Sequence, residues 1–208
     1  MANNIDPKIS DICQKYETET SDFMTRFLDD IFKVYLGTVQ DLHNILDEIN
    51  AIHPSIQFTM SHTSTHSKEE PMQCDCPHME STPFLDTSCK IIDGKIVLDL
   101  HKKETDRNMY VLPSSCHPPH EHENVSFSLA MRIVRICSLP ETRDQRLLEL
   151  KEMFLERKYR PNIVDFAISR ARDIPRKVAL RKVVKPVSSK RPIAVVSWDP
   201  RLPPIDTV

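Results

Sequence analysis

The order of apolar and polar positions predicts a chain whose period changes along its length. Ile5, Ile9, Ile12, Cys13 and Tyr16 recur at helical spacing, and Asp6-Pro7 suits the cap and first turn of that helix. "FMTRF" and "IFKVYL" then read as two strands around Leu28-Asp29-Asp30. Thr38 and Asp41 have the spacing of a capping pair. Val39, Leu42, Leu46 and Ile49, flanked by Ile45 and Ile52, form the stripe of a second helix that ends near His53-Pro54. Ile56, Phe58 and Met60 alternate with Gln57 and Thr59, which predicts a half-buried strand. Residues 61–83 are polar and aperiodic and read as a surface insertion. Beyond them, "FLDTSCKIIDGKIVLDL" places β-prone runs on both sides of Asp93-Gly94, a hairpin signal because both residues accept positive φ.

After "HKKETDRNMY" the period becomes helical. Phe127, Ala130, Met131, Val134 and Cys137 share one face, with Arg132 and Arg135 off it. Leu147, Leu150 and Phe154 mark a second helix after Pro140, and Ile163, Phe166, Ala167 and Ala171 a third after Pro161. A small sheet followed by three helices predicts an α+β chain in two modules, residues 1–112 and 113–175, with a basic, proline-rich tail over 176–208.

Composition changes this picture at three points. The 28 basic and 30 acidic side chains nearly cancel, so net charge selects no partner. Their distribution does more: Arg170, Arg172, Arg176, Lys177, Arg181, Lys182, Lys185, Lys190 and Arg191 are opposed only by Asp173, a run that suits a polyanion. "MANNIDPKIS" lacks the basic and apolar regions of a signal peptide, and no stretch approaches the ~18–20 apolar residues that span a bilayer. A soluble intracellular protein without a membrane partner is expected, in nucleus or cytoplasm without distinction, with its six cysteines as reduced thiols. Two glycines are too few for a Gly-rich phosphate loop.

The adjacent carboxylates Asp29 and Asp30, at the tip of the first hairpin, are the candidate metal ligands. Two-metal phosphoryl transfer needs rigidly held carboxylates, and a tight strand–turn–strand unit supplies rigidity. Cys74, Cys76 and His78 form C-x-C-x-H, tighter than the spacing of structural zinc knuckles, so no zinc site is expected there.

In order and spacing, "RFLDDIFKVYLGT", "DLHNILDEINAIHPSIQFTMS" and "PFLDTSCKIIDGKIVLDLHKKETDRNMYVLPSSCHPPH" resemble reverse transcriptases of animal Penelope-like retroelements, from about Ile5 to Ile205. The resemblance implies the C-terminal part of a polymerase palm followed by a helical thumb, a segment that also resembles a compact helix-turn-helix unit. It implies RNA-directed DNA synthesis, with Asp29 and Asp30 as catalytic ligands of Mg²⁺ or Mn²⁺, and an RNA template with a DNA primer or duplex as partners. Lys102, Lys103, Arg107, Arg132, Arg135, Arg176, Lys177, Arg181 and Lys182 would meet phosphates. Cys116, His117, His120 and His122 would belong to the turn before the first thumb helix, again without zinc. A complete palm also has an upstream strand with another aspartate and a fingers region, neither of which precedes Asp29 here. The expectation is therefore a fragment that does not polymerise alone and whose further partner would be a palm and fingers segment supplied in trans. The alternative is a non-catalytic, helix-turn-helix-like nucleic-acid-binding module.

Overall fold

This computed structural model describes residues 6–16, 23–63 and 79–181. Over those residues the fold is mixed α+β, six helices with two small antiparallel sheets, and none of the helices is long and apolar enough to cross a membrane. The chain divides into two compact units, Met1–Ile96 and Val97–Val208.

In the first unit, helix α1 (Asp6–Lys15) buries Ile9 and Cys13. Strands β1 (Phe23–Phe27) and β2 (Asp30–Val34) pair as a hairpin whose register closes with Phe27 opposite Asp30. Helix α2 (Val39–Asn50) begins at a reciprocal capping box: the Asp41 amide donates to Thr38 Oγ1 (3.2 Å) and the Thr38 amide to Asp41 Oδ2 (3.1 Å). Ile45 and Ile49 meet Ile9 and Cys13 in a small core, with Met24, Ile31, Tyr35 and Phe58 packed against it. Lys15 Nζ and Tyr16 Oη both donate to Glu48 Oε1 at 2.6 Å, tying α1 to α2.

The alternation at Ile56–Met60 survives as alternating burial, but the segment belongs to neither sheet. Its hydrogen bonds go to a side chain instead. The Phe58 amide donates to Asn50 Oδ1 (2.6 Å), and Asn50 Nδ2 donates to the Phe58 carbonyl (3.1 Å), so one amide replaces a neighbouring strand. The polar stretch expected over 61–83 is shorter at its end, because Thr82–Phe84 form strand β3; residues 64–78, with Cys74, Cys76 and His78, lie outside the described residues. Strands β4 (Thr87–Ile92) and β5 (Lys95–Leu100) complete a sheet of order β3-β4-β5. Asp93 (φ 49°) and Gly94 (φ 69°) take the two left-handed positions that a two-residue primed turn requires.

The second unit is built on three helices, α3 (Pro119–Ile136), α4 (Pro140–Glu156) and α5 (Pro161–Arg172), followed by the short α6 (Arg176–Ala179). Each long helix opens on a proline in its first turn, where the missing N–H costs nothing and φ is already helical. Val134, Leu147, Phe154 and Val164 are fully buried at their junction. The α3 and α4 stripes read from the sequence are largely the buried ones: Ala130, Met131, Val134, Cys137, Leu147, Leu150 and Phe154. The α5 register differs. Val164, Ala167, Ile168 and Ala171 face inward, whereas Phe166, expected in the core, is 68% exposed and Ile163 and Phe127 are only half-buried.

Residues Val97–Leu100 of β5 act as a strap on this unit. The Ser138 amide donates to the Leu98 carbonyl (2.9 Å), and the Leu98 amide to Ser138 Oγ (2.9 Å). Asp99 takes a two-pronged bond from Arg146 of α4, Nε to Oδ1 at 3.1 Å and Nη2 to Oδ2 at 2.7 Å. Burial pushes the Asp99 carboxyl up, but the Arg146 bonds, the Leu100 amide and the Arg146 charge outweigh it, and the net result lies below the usual carboxylate range. Cys137, beside Asp99, is raised to about 11, chiefly by burial, so this thiol stays protonated and unreactive at neutral pH.

Candidate functional site

Chemistry-bearing side chains gather at two places, one in each unit. At the tip of the first hairpin, Leu28 and Asp29 form the turn and Asp30 opens β2; both carboxylates are exposed. Arg26 Nε donates to the Leu28 carbonyl (2.6 Å), and the Arg26 guanidinium pairs with Asp6, so the turn is braced by a cation already matched to another acid. Leu28 has φ 53°. The tripeptide Phe-Leu-Asp recurs at 84–86, where Leu85 has φ 54° and Phe84 pairs with Thr87, just as Phe27 pairs with Asp30. In this chain Phe-Leu-Asp is thus a repeated two-residue hairpin turn, whatever the fourth residue. Among the described residues no group of three or more His, Cys, Asp and Glu side chains could hold a metal ion. Two adjacent carboxylates such as Asp29 and Asp30 could hold Mg²⁺ only together with water or phosphate oxygens, and a two-metal site would need a further carboxylate beside them.

The second place is the junction of α4 and α5. The turn 157–160 follows the hydrogen-bond pattern of a Schellman motif: the Lys158 amide donates to the Leu155 carbonyl (3.0 Å) and the Tyr159 amide to the Phe154 carbonyl (3.0 Å). The accompanying apolar contact is the Phe154–Tyr159 ring pair, 4.7 Å between centroids. Lys158 holds the left-handed position at φ 67°. Tyr159 Oη donates to the Val111 carbonyl, and Arg157 reaches the Tyr110 and Arg107 carbonyls at 3.4 and 3.3 Å, which fastens the preceding loop to the turn. Lys158 and Arg160 stay exposed at the start of α5.

Residues 109–169 match an animal helix-turn-helix domain. The matched segment spans α3, the α3–α4 turn, α4, the Schellman turn and most of α5. No curated protein and no solved structure matches the chain.

The helix-turn-helix segment and its flanks place the predicted phosphate-binding residues differently. Lys102, Lys103 and Arg107 are exposed on the loop after β5, and Arg132 is half-buried on α3. Arg135 and Arg176 form a reciprocal brace: Arg135 Nε donates to the Ala179 carbonyl (3.1 Å) and Arg176 Nε to the Arg135 carbonyl (3.0 Å). These two guanidinium groups fasten α6 to the end of α3. Lys177 and Arg181 are exposed, and Lys182 lies outside the described residues. Sequence reasoning passed over Lys158 and Arg160, which stand in what reads as a linker; Arg170, the first residue of the basic run, has its guanidinium 4.3 Å over the Phe127 ring.

Proposed function

We propose that the second unit is a helix-turn-helix module that binds nucleic acid, with α5 and the turn before it as the contact element. The observation that carries this reading is the family match laid over α4, its four-residue turn and α5. The exposed cations at the turn, Lys158 and Arg160, and at the far end of α5, Arg170 and Arg172, supply sequence-independent attraction for phosphates. Titrating the whole chain against a fluorescein-labelled mixed-sequence duplex tests this. Binding should weaken steeply with salt, and replacing both Lys158 and Arg160 by alanine should reduce the slope of log K against log salt by about 1–2. Absence of binding at low salt, or an unaltered slope in the double variant, would remove the proposal.

A second reading concerns the first unit. We propose, on the resemblance of the sequence around Asp29 and Asp30 alone, that this hairpin descends from the palm of a retroelement reverse transcriptase, and the helices would then derive from its thumb. Such a site needs a further carboxylate on a neighbouring strand, so we expect no primer extension by this chain with Mg²⁺ or Mn²⁺. Robust extension on an RNA template, abolished by Asp29→Asn, would instead make it a working polymerase.

A further inference from the structure

The exposed face shared by α3 and α5 contains a groove of about 320 Å³, lined by Asn124, Phe127, Asn162, Phe166, Arg170 and their apolar neighbours. Phe166 is 68% exposed although a phenylalanine gains most by burial, and it sits on the same helix face as Asn162 and Arg170, four residues to either side. Arg170 lies over the Phe127 ring, so the groove offers flat apolar surface, a guanidinium and two amides, with no acidic side chain among the described residues of its lining.

That combination is selective. Aromatic faces stack on planar groups, carboxamides exchange paired hydrogen bonds with the edges of bases, and a guanidinium takes phosphate. In a duplex the base faces are already covered by their neighbours, so a phenylalanine can stack only on a base that has left the helix or has no partner strand. We propose that this groove receives an unstacked base of single-stranded nucleic acid, with Phe166 as the stacking platform, Asn162 and Asn124 at the base edge, and Arg170 toward the phosphate. The inference rests on the reading of the helical unit as a nucleic-acid binder and adds to it a preference for unpaired strand.

Anisotropy titrations of the full chain with labelled oligonucleotides of about 12 nucleotides, as single-stranded DNA, single-stranded RNA and DNA duplex, separate the two. Phe166→Ala should weaken binding of at least one single strand by about tenfold or more while changing duplex binding less than about twofold. Phe166→Trp should retain single-strand binding, with its indole emission quenched on complex formation. Far-UV circular dichroism and the urea midpoint should be unaltered in both variants, because residue 166 is outside the core. Unchanged single-strand binding in Phe166→Ala, or an equal loss on duplex, overturns the stacking site and leaves the helix-turn-helix reading intact. Failure of the unmodified chain to bind any of the three probes overturns the parent reading as well.

Discussion

Lys158 occupies a backbone position that normally belongs to glycine. A non-glycine residue held in the left-handed region costs about 1 kcal/mol, because Cβ crowds the backbone there. The Schellman hydrogen bonds and the Phe154–Tyr159 contact fix that conformation regardless of the side chain. Lys158→Gly should therefore raise unfolding stability by about 0.5–1 kcal/mol in urea titrations while weakening duplex binding through the lost charge. Opposite signs in the two measurements are the signature of a residue kept for its ammonium group. A loss of stability in the glycine variant would show instead that the lysine side chain holds the turn. The leucines at 28 and 85 share the left-handed geometry without a charge to gain from it, and there the turn itself, closing the Phe27–Asp30 and Phe84–Thr87 pairs, is what the structure obtains.

Single elements show where pattern reading succeeds and where it stops. The starts of α4 and α5 were legible from Pro140 and Pro161, and the capping pair at Thr38 and Asp41 from its i, i+3 spacing; the start of α3 was read too late, because His120 and His122, assigned to the turn before it, lie within the helix that begins at Pro119. The α5 stripe was half right: Ala167 and Ala171 are buried as read, but the larger apolar side chains Ile163 and Phe166 were chosen beside them where Val164 and Ile168 face the core. The i, i+3, i+4, i+7 set Val164, Ala167, Ile168 and Ala171 carried the true register. At Ile56–Met60 the alternation was real, but pairing depends on a partner strand, and the Asn50 amide took that place. The bond between Asp99 and Arg146 spans 47 residues, a separation that no local pattern encodes. Its titration gives a test of β5 as an element. Since the folded Asp99 carboxyl lies below its ordinary value, its stabilisation is complete above the unfolded pKa and fades as pH falls through the folded one. Asp99→Asn should cost about 1–3 kcal/mol near neutrality, and the gap to the unmodified chain should narrow below about pH 4. A gap independent of pH would assign the loss to packing rather than to the ion pair.

At the scale of the whole molecule, the candidate sites were legible unequally. The carboxylate pair stands out in the sequence because two like charges are adjacent, yet its partners in any metal centre are a matter of tertiary placement. The α5 face was legible only in pieces: Phe166 looks like core, Lys158 and Arg160 look like linker, and Arg170 and Arg172 stand out only as part of a basic run. The organisation also bears on how this protein could be taken apart. The family match begins at Met109, but Asp99, which holds Arg146, and Leu98, which holds Ser138, come before it. A fragment cut at the border of the match would leave the Arg146 guanidinium with Glu149 as its remaining carboxylate and the α3–α4 corner without its strand, and it would be less stable for the loss of both. Residues 97–181 should then unfold cooperatively while residues 109–181 melt at lower temperature or lose cooperativity, which differential scanning calorimetry would resolve. The helix-turn-helix segment is accordingly no portable cassette: transplanted without the strand ahead of it, it would arrive with its lock but not its key.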